Sequence, residues 1–325
     1  MATYVRTQSI EHPVGERGRV SIKVTEGDVQ IQGVAGSDAR IRATFEIRAS
    51  SDDEADRIFE AIKLEVASGA GVLSVEEPSG GPSIGKVISR LFGGLGYDDL
   101  AVEAYLPAGV ELHLAVVSSD VEASGLRGDQ RYATVSGDML LNDTGGTVHL
   151  NAVSGDATIR ASEPISVFAE AVSGDLVVVT PQLLALRASS VSGDVELEAE
   201  LAPGGDFRVE TVSGDFSVGL LGPAVFDVRG LSTDVNSELD HRLEGRSDRR
   251  RLVIGQGGPT VVFSSMSGDI DVRRPRHLDP RPTAPRPAPT APGADAQMEI
   301  LQQLERGEIS VDEATRRLAG GSTDA

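Results

Sequence analysis

The tetrapeptide Val-Ser-Gly-Asp recurs through the middle of this 325-residue chain, and its spacing leaves few folds open. Full copies run from Val135 to Asp138, Val153 to Asp156, Val172 to Asp175, Val191 to Asp194 and Val212 to Asp215. Degenerate copies are Val117-Ser118-Ser119-Asp120, Leu231-Ser232-Thr233-Asp234 and Met266-Ser267-Gly268-Asp269. Their aspartates stand 18, 18, 19, 19, 21, 19 and 35 residues apart. An alternating run enters each motif, as in Thr147-Val148-His149-Leu150-Asn151-Ala152, and another leaves it, as in Val195-Glu196-Leu197-Glu198. Between the runs lie corners such as Thr144-Gly145-Gly146 and Pro203-Gly204-Gly205. Alternation with valine enrichment reads as strand, and the Gly, Pro and Asp punctuation reads as turn. Two short strands per unit cannot bury a face alone, so successive units must cover one another. The expected fold is all-β, a β-solenoid of about 18–21 residues per coil.

In such a stack equivalent positions recur about every 4.8 Å along the axis. The valine of each motif is then expected in an interior column, with glycine taking the left-handed corner geometry. Serine and aspartate can bond main-chain N–H groups freed at the bend. Asp120, Asp138, Asp156, Asp175, Asp194, Asp215, Asp234 and Asp269 are read as a structural turn column. Carboxylates about 5 Å apart in a water-like dielectric repel by roughly 1 kcal/mol. A charge-assisted hydrogen bond contributes about 1.5–3 kcal/mol, which offsets that repulsion without a metal.

The flanking segments follow other patterns. Residues 1–106 read as an N-terminal strand and helix cap continuous with the solenoid proper at 107–272. Strand-like runs include Val20 to Val24, Val29 to Ile31 and Ile41 to Ile47, with Glu26-Gly27-Asp28 as a faint copy of the turn. Ser51 and Glu54 form a capping box for a helix whose apolar face is Ile58, Phe59 and Ile62. Residues 77–98 read as a loop with a short amphipathic helix near Ile84 to Phe92, and Leu239 to Gly258 as a hairpin inserted into one coil. Residues 273–293, with seven prolines and five arginines, read as a semi-rigid linker. Residues 294–325 return to helical spacing: Ile300, Leu301 and Leu304 make one stripe, and Ile309, Val311, Ala314 and Leu318 accompany a second capping box at Ser310 and Glu313. A helical hairpin this small needs a surface to pack against, which makes it the expected docking or self-association element.

Charge and composition narrow the functions. Fifty acidic against thirty basic residues give a net charge of -20, which opposes binding to nucleic acid or anionic lipid. The chain has no cysteine, so disulfides, thiolate metal sites and cysteine nucleophiles are excluded. No run of about 18 apolar residues offers a membrane span. The opening MATYVRTQSI lacks the apolar core of a secretory signal, so a cytoplasmic location is expected.

The stacked motifs, the late Asp248-Arg249-Arg250-Arg251 and Gly257-Gly258-Pro259 together resemble a bacterial adhesin-like β-strand-repeat family of unknown function. That resemblance spans roughly residues 17–272 and implies a right-handed parallel β-helix without an assigned enzymatic activity. The tail from Ile300 to Ala314 is similar to short C-terminal domain-like hairpins found beside this repeat in envelope-stress proteins, which implies a regulatory link.

Candidate chemistry is sparse. Gly80 to Lys86 fits the start of a phosphate-binding loop, but Val87 stands where a magnesium-holding Ser or Thr belongs. Gly81-Pro82-Ser83-Ile84-Gly85 fits a nucleophile elbow without the α/β sheet that such an elbow needs. For both, a glycine-rich loop is the plainer reading. His12, His113, His149, His241 and His277 are scattered; His113 and His149 share a column with Arg131 between them, which does not suit one metal ion. One Asp per coil is a thin set for calcium, Arg127-Gly128-Asp129 reads as a turn, and Arg246 to Arg251 as a solvated hairpin tip. The expected function is a non-enzymatic scaffold, needing no cofactor, with a protein partner or self-association through the hairpin. A self-assembling solenoid polymer and a carbohydrate-active β-helix enzyme are the alternatives.

Overall fold

The structure is a computed structural model that describes residues 2–78, 97–246 and 249–276. The chain divides into two units, Met1–Leu278 and Asp279–Ala325, and every described residue belongs to the first. The polypeptide begins with β1 (Ala2–Pro13), then turns at Gly27 between β2 (Arg19–Glu26) and β3 (Asp28–Val34). It continues through β4 (Asp38–Ala49), α1 (Asp52–Ile62), β5 (Glu65–Gly69), β6 (Val72–Glu76) and β7 (Tyr97–Pro107). The repeat follows as β8 (Glu111–Ser118), β9 (Val121–Ser124), β10 (Gln130–Thr134), β11 (Met139–Ala152), β12 (Ala157–Ser173) and β13 (Leu176–Ser192). It closes with β14 (Val195–Leu201), β15 (Phe207–Ser213), β16 (Phe216–Leu220), β17 (Ala224–Ser232), β18 (Val235–Ser237), β19 (His241–Arg246), β20 (Arg249–Ile254), β21 (Thr260–Ser267) and β22 (Ile270–Arg273).

Each motif is the corner between an entering and a leaving arm. Entering arms stack in parallel register in the order β6, β2, β8, β10, β11, β12, β13, β15, β21, β17. Leaving arms stack in the matching order β7, β3, β9, β11, β12, β13, β14, β16, β22, β18. Alternate side chains point inward from both arms. Leu112, Leu114, Tyr132, Leu150, Val167, Phe207 and Phe263 face Leu141, Ile159, Val178, Leu197, Phe216 and Ile270 within one continuous buried cluster. The chain is a β-solenoid.

Stack order departs from chain order at both ends. The pair β2–β3 lies between β6–β7 and β8–β9, and β21–β22 lies between β15–β16 and β17–β18. The sequence reading of Leu239 to Gly258 as an insert within one coil is corrected here. Strands β19 and β20 do form a hairpin, but β20 runs antiparallel along the outer side of β17, and the chain then returns to fill the gap left one coil back. Length is the physical reason: 35 residues separate Asp234 from Asp269, enough to add two antiparallel strands and retrace one coil. At the other end β4 and β1 close β7 antiparallel, and β5 closes β6 in the same way.

Helix α1 sits against this first end. The Ser51 hydroxyl accepts the Glu54 N–H at 3.3 Å, while the Glu54 carboxylate accepts the Ser50 N–H at 2.8 Å, one residue outside the expected box. Ile58, Phe59 and Ile62 pack on the core, and Phe59 meets Phe45 edge-on at 5.6 Å between centroids.

Candidate functional site

The motif corner is built from close backbone approach. Gly137, Gly155, Gly174 and Gly193 all have positive φ, between 109° and 140°. A Cβ on Gly174 would stand 2.1 Å from the Gly155 carbonyl oxygen one coil away, and Gly155 and Gly193 meet their predecessors just as closely. Glycine is therefore set here by the spacing of stacked chains as much as by φ.

Aspartate completes the corner. The main-chain N–H of Asp138 donates to the Asp120 carboxylate at 2.9 Å, and Asp156, Asp175, Asp194 and Asp215 each repeat this bond to the preceding Asp at 2.8–2.9 Å. The column then passes from Asp215 to Asp269 at 2.8 Å and from Asp269 to Asp234 at 2.7 Å, following stack order rather than chain order. One carboxylate oxygen per coil is engaged in this way. Apart from half-buried Asp269, these residues are exposed.

The motif valines lie outside, which corrects the interior column expected from the sequence. Val117, Val135, Val153, Val172, Val191 and Val212 are 43–51% exposed, Met266 is 56% and Leu231 82% exposed. Parity decides it. Leu150 is buried on β11, so Ala152 also turns inward and Val153 turns out; Tyr132 and Thr134 likewise send Val135 outward. Register places all eight side chains in one row, in the order Val117, Val135, Val153, Val172, Val191, Val212, Met266, Leu231. At roughly 4.8 Å per coil the row is about 34 Å long. Packing between stacked neighbours covers about half of each valine and leaves the outer half in water. The signal that could have found this ladder was the count of two from the last large apolar residue of each entering arm.

Other singled-out residues serve the coils. Arg131 and His113 are neighbours at 2.8 Å, and both reach Glu111, which Arg19 also grips at 2.9 Å. These bonds, His113 first, hold the Glu111 carboxyl at about 2. His149, next to Arg131 in register, stacks on Phe168 at 4.9 Å. Arg127, of the Arg-Gly-Asp tripeptide, pairs with Asp143 at 2.9 Å and Glu163 at 3.2 Å, and Arg251 of the basic stretch lies 3.8 Å from Asp227. A buried knot went unnoticed in the sequence. The Gln130 Oε1 accepts the Tyr132 and Thr144 hydroxyls at 2.9 and 3.0 Å, while Nε2 donates to the Gly145 carbonyl at 2.9 Å. Among the described residues no group of three or more His, Asp or Glu converges as metal ligands, and no helix is long and apolar enough to cross a membrane. The Gly80 to Lys86 loop, Ser83, the 84–92 helix, His277 and the docking residues Ile300, Leu301, Leu304, Ile309, Val311, Ala314 and Leu318 lie outside the described residues.

Residues 108–205 match the family model Toastrack DUF4097. The matched segment takes in the ladder from Val117 to Val191 and the aspartates from Asp120 to Asp194. No curated protein matches the chain. Among solved structures, a "putative lipid binding protein" from Parabacteroides distasonis is 13% identical, covering 82% of this chain and 96% of its own, with a TM-score of 0.42. A "putative adhesin" from Bacteroides fragilis is 11% identical over 82% and 97% of the two chains, with a TM-score of 0.33. A "putative cell adhesion protein" from Clostridium sporogenes is 10% identical over 83% and 100%, with a TM-score of 0.27.

Proposed function

We propose that this chain is a non-enzymatic β-solenoid scaffold whose binding surface is the apolar ladder from Val117 to Leu231. The observation that carries this reading is the ladder itself: eight large apolar side chains, all at least 43% exposed, aligned along one edge of the coil. Soluble surfaces scatter such residues singly, and contiguous apolar patches mark interaction sites. In this reading the coil is right-handed and the segment at 294–325 is a helical docking or oligomerisation hairpin. Its similarity to short C-terminal domain-like modules supports a role in envelope-stress regulation. The stack ends in the antiparallel strands β1, β5 and β19 rather than in further parallel arms, which interrupts the register an end-to-end polymer would propagate and supports a discrete scaffold over an open polymer.

Site-specific photo-crosslinking tests the reading. A photoreactive residue at position 172, compared with one at position 158 on the other arm, should give discrete protein adducts from cells. Those adducts should vanish when Val153 and Val191 are both changed to Thr. Equal adducts from both positions, or adducts indifferent to the two threonines, overturn it.

A further inference from the structure

We propose that the ladder docks a basic amphipathic helix of a partner protein. This rests on the ladder being the binding surface and names what it binds. The apolar row is one side chain wide. Around the corner it is bordered along its whole length by the aspartate column, three residues beyond each ladder position, from Asp120 to Asp234. Seven of those eight carboxylates, all but that of Asp234 at the end of the stack, spend one oxygen on the neighbouring coil's N–H, and all eight residues except half-buried Asp269 are exposed. The flank on the other side, two residues before each ladder position, is Ala115, Ala133, Asn151, Glu170, Ser189, Glu210, Ser264 and Arg229. It holds two acids and a single cation, at the last coil.

This pattern selects its occupant. A second copy would bring a further -20 of charge and another aspartate column to the interface. An anionic membrane is repelled by the same column. A helix carrying an apolar stripe with Lys or Arg along the edge that meets the aspartate column complements both parts of the surface. Spacing favours helix over strand: one turn advances about 5.4 Å, close to the roughly 4.8 Å step of the ladder, whereas same-face residues of a strand stand about 6.8 Å apart. A ladder of about 34 Å accommodates about 22 helical residues.

The probe is a designed 22-residue helix with a leucine stripe and lysine flanks, titrated by fluorescence anisotropy against the full chain, beside a peptide of the same stripe with glutamate flanks. The lysine peptide should bind and the glutamate peptide should not. Changing Val153, Val172 and Val191 together to Thr keeps β-branching and should weaken binding at least tenfold. Asp175→Asn with Asp194→Asn keeps the oxygen that accepts each N–H, and should weaken binding several-fold and flatten its salt dependence. Unchanged circular dichroism melting of both variants shows that the coil is intact. Equal, ladder-dependent binding of both peptides overturns the charge assignment while leaving the binding surface standing. Binding indifferent to the three threonines removes both. Binding of neither peptide overturns the helix proposal, and the crosslinking at position 172 then decides the surface alone. A ladder-dependent dimer in sedimentation, or ladder-dependent binding to anionic vesicles, replaces the partner helix with a second copy or a membrane.

Discussion

The Asp156 carboxylate accepts the main-chain N–H of Asp175 at 2.8 Å, one coil along the stack. The corner of each coil is thus held by the side chain of the coil before it. Asp156→Ala removes the acceptor of that N–H and should cost about 1 kcal/mol, whereas Asp156→Asn should cost less because its carbonyl still accepts. Urea unfolding of the two variants separates lost hydrogen bond from lost charge.

Glycine at the corner is under two constraints that substitution can separate. Gly174 has φ of 117° and its Cβ would stand 2.1 Å from the Gly155 carbonyl oxygen; Gly204 has φ of 79° and open space around it. Gly204→Ala should cost about 1 kcal/mol, from the left-handed backbone alone. Gly174→Ala should cost more than about 3 kcal/mol, because two backbones must also move apart. Equal losses in denaturant unfolding would show that stacking does not press on this column.

Ladder and core valines differ in what surrounds them. Val178 is fully buried and Val172 is 51% exposed. Val178→Ala should cost about 2 kcal/mol by leaving a cavity. Val172→Thr should change stability by about 0.5 kcal/mol or less, as an exposed strand position does. Thermal melts of the two variants check the assignment of faces independently of any ligand.

Acid should loosen the first coils of the repeat. Glu111 titrates at about 2 because His113, Arg19 and Arg131 hold its charged form, below the ordinary 4.5. A lowered folded value stabilises above the unfolded value, and that stabilisation is lost as pH falls from 4.5 towards 2. Glu111→Gln should therefore cost roughly 1 kcal/mol at pH 7 and little at pH 2. Melting curves of both proteins across that range should converge at the acid end.

Much of the coil was legible because its constraints are local and repeated. Alternation around Leu150 and Leu197 announces strands, and glycine at 137, 155, 174 and 193 announces a turn whatever the arms do. Residue type misled where it was read apart from parity. Valine is the commonest strand former, so Val153 looked like core. The chain places it there for a surface row and puts the small Ala152 inward beside the tight corner. The knot of Gln130, Tyr132 and Thr144 was invisible because its three members meet only once two coils are stacked.

The sequence by itself determined that the chain coils, how long each coil is, and where it turns, because the motif recurs at nearly constant spacing and every copy carries the same local chemistry. Only the tertiary structure decided the order in which coils stack and which side of the sheet meets water. The pairing of β21 between β15 and β17, and of β2 between β6 and β8, depends on which edge is left open when the chain returns. Stacking register then gathers eight separate side chains into a single exposed ladder, a surface that no one repeat possesses.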